Sequence, residues 1–497
     1  MSQIRKNSIK ATFWIYLGFF IGAVNTYFLT HKSWFTTEQN GLTRSLIEIG
    51  QLVYAFSCLG STSFIMKFFP YYEDNLEPKK NDLLGLALII ALSGFILTAG
   101  GLFLCEPIII KKFSTNSYLL VQFLYWVLPL GFFILLYNIL ESYSYGFGKG
   151  VLGSLLRETV IRLYTFVIIL LKIFNVINFK TFIALFSFQY ALIVLILAVH
   201  LKLEGKLWIN FSFSRVTKKF RKKIFSILIL TFFVIIVNVL RFSIDGIVLA
   251  AKQNLGKVGI FGLASYMVSV LQAPFRSIVA VTIPMLSRAW KDKNLVEIER
   301  IYQRSSINML GFSLFVFFCV WLNFDNGINL LHINPDYLEG KWVFFYLGIV
   351  TIIELGTGVN GQIIGTSTYW RFELWTSLLL TSMIIPLSYY LTTKYGIMGP
   401  AIANLFSFTI YNSIRYLFLL KKFNMQPFTM KTLELLIIAA LSYAIAYFAT
   451  RNLDGIAGIL GSLGIFCTLY ISLFYWRNIS PDVKQVMLTV TNRFKKK

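Results

Sequence analysis

Apolar stretches of about twenty residues recur along this chain, and they restrict its fold more than any other feature. A helix of 20 residues is about 30 Å long, the thickness of a bilayer's hydrocarbon core. Fourteen such stretches can be traced. Six lie near 11–30, 45–68, 83–105, 118–140, 155–174 and 181–201. Six more follow near 224–250, 258–287, 306–323, 343–367, 374–391 and 396–420, and two close the set at 433–450 and 456–476. In lipid each backbone amide must find its partner within the segment, so these stretches predict helices. The alternating segments of about ten residues that build an outer-membrane barrel are not seen. Composition agrees: 57% of residues are hydrophobic and 14% charged, against about 45–50% and about 25% in soluble domains. The expected fold is all-α and polytopic, with fourteen transmembrane helices.

An even number of spans returns the chain to its starting side. Assigned by this topology, about 30 of the Lys and Arg residues fall on the side of the termini, about 11 opposite and about 5 within spans. Positive charge is retained on the cytoplasmic side, which predicts cytoplasmic termini. The first span has a basic start but no small-residue cleavage pattern, so it reads as a retained helix rather than a signal peptide. The net charge of +24 does not point to nucleic acid, because basic runs such as Arg215–Lys223 and Arg493–Lys497 flank apolar spans, where anionic lipid headgroups lie. The four cysteines sit in or beside apolar spans, and His31, His200 and His332 are far apart. Neither set reads as a metal or disulfide framework, so no cofactor or metal is expected.

A faint repeat relates the first and seventh spans. At a shift of 220, Asn25 falls on Asp245, Leu29 on Leu249 and Lys32 on Lys252. Six spans would restore the starting side, so two six-helix bundles of like orientation are expected, 1–205 and 206–422. Residues 423–497 then supply two additional helices and a basic tail. Halves related in this way place a central cavity between them.

Charges at membrane depth are the candidate functional groups, since each costs at least about 2.5–3.5 kcal/mol to insert at the bilayer centre. They are Glu48, Arg157, Glu158, Arg162, Arg241, Asp245, Arg276, Glu354 and Arg415. Spacing by four residues places Arg44 with Glu48, Glu158 with Arg162, and Arg241 with Asp245 on shared helix faces, so neutralised pairs are one reading. The other is a wet cavity in which arginines bind an anion and a carboxylate binds a coupling cation. Arginine suits phosphate because its planar fork donates two parallel hydrogen bonds and stays charged when desolvated. Arg276 lies between Pro274 and Pro284, where missing amide donors can bend a helix, and no acid lies within a turn of it. The stretch "GTGVNG" (356–361) matches a dinucleotide-binding fingerprint, but it lies inside an apolar span rather than on a strand-to-helix turn. Close helix packing is the better reading, with Asn360 free to bond a neighbouring helix.

The stretches "FFPYYEDN", "SIDGIVLAAKQNLGKVGIF", "PMLSRAWKDKNLVEIERIYQRSSIN" and "GTGVNGQIIGTSTYW", with the fourteen-span plan, resemble the polysaccharide (Wzx-type) flippases of the multidrug/oligosaccharidyl-lipid/polysaccharide exporter superfamily. The resemblance spans nearly the whole chain and implies a non-enzymatic transporter in a bacterial inner membrane. Its substrate would be an undecaprenyl-pyrophosphate-linked oligosaccharide moved to the outer leaflet, with a polysaccharide polymerase system as downstream partner. It further implies that Arg276 and Arg241 contact pyrophosphate, that Asn25 and Tyr266 contact sugar, and that Asp245 and Glu48 bind Na⁺ or H⁺. Three other functions stay open: a peptidoglycan lipid II flippase, a multidrug/cation antiporter, and a membrane-embedded glycosyltransferase or ligase. The excess of arginines over acids among the buried charges weighs against the antiporter. The absence of a large loop with a catalytic carboxylate set weighs against the enzyme.

Overall fold

The computed structural model describes residues 3–482, apart from the side chains of residues 3–13, 15, 274, 276, 277 and 280. The basic run Arg493–Lys497 therefore lies outside the described residues. All fourteen apolar stretches are helical. Among the described residues, eight helices are long and apolar enough to cross a membrane unbroken, and two bent pairs raise this to ten. Two shorter apolar helices, Tyr16–Thr30 and Leu255–Leu271, add to these.

The chain forms two compact units, Met1–Gly259 and Ile260–Lys497. In the first, α1 (Gln3–Thr30), α2 (Thr37–Ser57) and α3 (Ser61–Asn75) are followed by α4 (Leu83–Phe113), the short α5 (Tyr118–Gln122) and α6 (Val127–Gly146). Next come α7 (Gly150–Leu155), a π-helical turn at Leu156–Val160, α8 (Ile161–Ile173), α9 (Phe179–Ser187) and α10 (Gln189–Leu203). The long α11 (Arg215–Lys252) leads to α12 (Leu255–Leu271), whose first residues complete the unit. Although α11 follows the boundary expected from counting spans, it packs on α2 and α3.

Thr36 opens α2 with a capping box, its hydroxyl accepting from the Gln39 amide while the Gln39 side chain accepts from the Thr36 amide. Such a cap contributes about 1 kcal/mol. The second span is not straight: α2 and α3 meet at 51°, with Leu59 and Gly60 both at positive φ. Gly60 takes that conformation without a Cβ clash. Aromatic and aliphatic side chains from α3, α4, α6 and α10, among them Phe64, Tyr72, Leu84, Tyr137 and Leu197, fill the core.

The second unit continues α12 and adds α13 (Ala273–Lys291), α14 (Leu295–Leu330), α15 (Gly340–Gly356) and α16 (Asn360–Thr366). It ends with α17 (Trp370–Tyr395), α18 (Met398–Phe423), α19 (Met430–Thr450) and α20 (Gly455–Trp476). The helices α17 and α18 pair closely, while α19 and α20 pair with each other and rest on α14. Phe466, Tyr470, Leu310, Leu314 and Leu435 form the contact with α14. The buried Tyr470 hydroxyl donates to the Gly311 carbonyl at 2.8 Å, which satisfies a polar group that lipid could not.

Candidate functional site

Among the described residues, charged side chains at membrane depth gather in three places. In the first, α2 presents Glu48 to α11. Arg44, one turn earlier, donates from Nε to Glu48 Oε1 at 2.7 Å, so the pairing expected from spacing is present. Glu48 Oε2 has no hydrogen-bond partner among the described residues. Gly246 makes room for this carboxylate, for a Cβ there would stand 1.8 Å from Oε2. Asp245, next to that glycine, is close enough to act electrostatically on Glu48, and the Ser243 hydroxyl donates to the Glu48 carbonyl at 3.4 Å. The two carboxylates singled out from sequence for ion binding thus lie within electrostatic reach of one another, on α2 and α11. Arg241, one turn before Asp245, lies 5.6 Å from the Phe242 ring centre.

Because Glu48 ends in a flexible side chain, Gly246→Ala should swing its carboxylate away rather than unfold the protein. The variant is expected to melt within a few degrees of the parent and to change the protection of α2 in hydrogen exchange. Unchanged protection would show that the carboxylate's place is immaterial.

The second cluster surrounds the π-helical turn, a form that is rare and recurs at functional sites. Arg157 donates from Nη1 to Glu141 Oε2 at 3.0 Å, and Arg162 from Nη2 to Glu158 Oε2 at 3.1 Å. The Tyr137 hydroxyl lies 2.9 Å from the Gly153 carbonyl and 3.3 Å from Glu141 Oε1. Asn25 joins the cluster from α1, its Nδ2 donating to the Arg162 carbonyl at 2.8 Å. The Asn25 Oδ1 is buried with no hydrogen-bond partner among the described residues. Glu141 was missed in the sequence because the fourth span was ended at Leu140, one residue short.

The third cluster lies in the second unit. Arg415 of α18 pairs with Glu373 of α17, approaches Thr376 Oγ1 at 3.4 Å, and stacks 3.8 Å from the Tyr411 ring centre. "GTGVNG" is the wall beside it; it packs closely on α14 and α18, as expected, and it also breaks the span, α15 and α16 meeting at 46°. Gly356 offers its carbonyl to the Ser306 hydroxyl at 2.5 Å, Gly358 takes φ +63°, and a Cβ at Gly361 would stand 2.9 Å from Arg415 Nη1. Each glycine has its own steric reason, and none serves a nucleotide turn. Asn360 Nδ2 donates to Asn412 Oδ1 at 3.3 Å, bonding a neighbouring helix. Glu373 had been placed one residue outside its span; with Glu141 it removes the arginine excess read from the sequence.

Tyr266 is half-buried in α12, its carbonyl accepting from the Ser269 hydroxyl at 2.6 Å. Arg276 is in α13, and its side chain lies outside the described residues.

No family model and no curated protein matches the chain. Solved structures do. The lipid II flippase MurJ in an inward closed conformation superposes with a TM-score of 0.73 at 17% identity, covering 95% of this chain and 99% of that one. The chain shares the fold of that structure. An inward-facing multidrug resistance MATE family transporter of the MOP superfamily gives a TM-score of 0.57 at 14% identity, over 82% of this chain and 93% of that one. The MATE multidrug transporter DinF-BH gives 0.53 at 16% identity, over 84% and 95%. The all-helical, polytopic class expected from the sequence is the class these transporter structures share.

Proposed function

We propose that this protein is a flippase for an undecaprenyl-pyrophosphate-linked oligosaccharide, carrying the glycan from the cytoplasmic to the outer leaflet of a bacterial inner membrane for polysaccharide assembly. The observation that carries the reading is the extent of the match. A lipid flippase covers 95% of the chain, whereas the MATE transporters cover 82–84%. The described helices of the chain end with the α19–α20 pair. That pair borders a shallow, open and mostly apolar groove of about 680 Å³, lined by Ile445, Leu460, Gly461, Gly464, Ile465, Thr468 and Leu469. Such a surface suits an isoprenoid chain, which a drug transporter has no need to guide.

A glycan head is too polar for hydrocarbon, so its passage requires a hydrated route and alternating access. Arg276 and Arg241 are proposed to meet the pyrophosphate, Asn25 and Tyr266 the sugar, and Glu48 with Asp245 a coupling Na⁺ or H⁺. The termini are proposed to be cytoplasmic. The similarity to a lipid II flippase favours a second reading, in which the glycan is the peptidoglycan precursor.

Reconstitution separates the two. Proteoliposomes loaded with each lipid-linked glycan should show protein-dependent exposure of the polysaccharide repeat unit in the opposite leaflet, at least tenfold faster than lipid II. Arg276→Ala should slow that exposure at least tenfold with normal insertion. Faster lipid II movement would select the second reading, and unaltered transport by Arg276→Ala would remove that residue from the route.

A further inference from the structure

A basic pocket lies away from the three charge clusters, where the end of α3 meets the start of α11. It has a volume of about 530 Å³ and is lined by Lys67, Phe68, Tyr71, Phe220, Lys222, Lys223, Ser226 and Ile227. Three lysines line it and no carboxylate does. None of the three lysines has an ion-pair partner among the described residues. The aromatic walls hold one another, with Tyr71 and Phe68 at 5.3 and 5.8 Å from the Phe220 ring centre, and Lys223 lies 5.7 Å over the same ring. The neighbouring acid, Asp82, is engaged elsewhere, accepting from Thr217 Oγ1 at 2.6 Å and from the Ser214 amide at 2.9 Å. Three exposed lysines with no carboxylate among them present a positive surface that suits an anion.

What kind of anion follows from the surface beneath. Lys222 is the first member of a stripe that continues through Phe225, Ile229 and Phe233 on the same face of α11, all three exposed. From Lys222 to Phe233 is about 16 Å along the helix, close to the depth of one leaflet. While other faces of α11 pack on α2 and α3, Phe225, Ile229 and Phe233 are exposed on its hydrophobic segment, so this stripe faces lipid chains. Met66, next to Lys67 on α3, is exposed as well. Positive charge above an apolar strip one leaflet deep is complementary to a diacyl lipid with an anionic phosphate head.

We propose that this pocket is a binding site for an anionic phospholipid, with Lys67, Lys222 and Lys223 holding the phosphate and Phe225, Ile229 and Phe233 contacting an acyl chain. The site stands apart from the transported substrate, so it does not depend on the flippase reading. A resident lipid there would fix the depth of α11 and its packing on α3.

Native mass spectrometry of the detergent-purified full chain tests it, using dioleoylphosphatidylglycerol and dioleoylphosphatidylcholine as probes. The wild type should retain the phosphatidylglycerol in preference, and the preference should weaken as salt rises. Lys67→Gln/Lys222→Gln/Lys223→Gln should lower phosphatidylglycerol affinity about tenfold or more while leaving phosphatidylcholine binding unchanged. The corresponding triple arginine variant should restore it, and Phe225→Ser/Phe233→Ser should weaken it with the lysines intact. Equal phosphatidylglycerol binding by the triple glutamine variant overturns the proposal. So does a pocket that inorganic phosphate saturates with the same lysine dependence while the phenylalanine changes have no effect, for that would be a free-phosphate site.

Discussion

Replacing Arg157 by methionine while Glu141 stays in place is expected to destabilise the first unit by about 3 kcal/mol, the low end of the range for orphaning one partner of a buried ion pair. The Glu141 side chain is only 4% exposed, and the Arg157 guanidinium 3.0 Å away is its one close cation among the described residues. Its other partners are neutral phenols, Tyr137 at 3.3 Å and Tyr145, and they cannot compensate a full charge. The low end applies because Arg157 itself is 44% exposed and partly solvated. Thermal unfolding of the purified protein in detergent should show a fall of several degrees. Glu141→Gln added to that variant should recover most of the loss, since the uncompensated charge is then gone. A melt indistinguishable from wild type would mean that Glu141 finds another counter-charge, and the ion pair would then have no structural role at the π-helical turn.

Asp245→Asn should uncouple transport from an ion gradient. Moving one charge through 100 mV is worth about 2.3 kcal/mol, a factor of about fifty in the leaflet ratio that a one-charge coupled flippase can hold. The variant should bring that ratio to about one while uncoupled exchange continues. Glu48→Gln should act in the same direction, because its Oε2 has no partner among the described residues and Asp245 lies within electrostatic reach. The measurement is glycolipid exposure in proteoliposomes with and without imposed Na⁺ or H⁺ gradients. If gradient dependence survives both substitutions, the coupling ion binds elsewhere and this carboxylate pair is a packing device.

The spans were legible in the sequence because twenty consecutive apolar residues are a local signal that no tertiary contact is needed to interpret. Pairs four residues apart were legible for the same reason, and Arg44–Glu48 and Glu158–Arg162 stand as their spacing implies. What failed was the edge. Glu141 and Glu373 each lie one residue beyond where hydropathy ended a span, and both hold an arginine from another segment. Hydropathy falls at a charged residue whether or not the helix does, so the rule excludes the residues that matter most. The approach of Glu48 to Gly246 crosses almost two hundred positions, and nothing near either residue announces it. The bends were half-visible: Gly60 and Gly358 mark them, but a glycine in an apolar run reads equally as tight helix packing.

The placement of α19 and α20 has a mechanical consequence. They lean chiefly on α14, a helix about 54 Å long, and the apolar groove they border is therefore attached to that strut. Whenever α14 tilts, the groove is carried along as an outrigger, its distance from the strut unchanged. A greasy tail lying in it would be towed through the bilayer by the same stroke that turns the strut, with no separate motor for the tail.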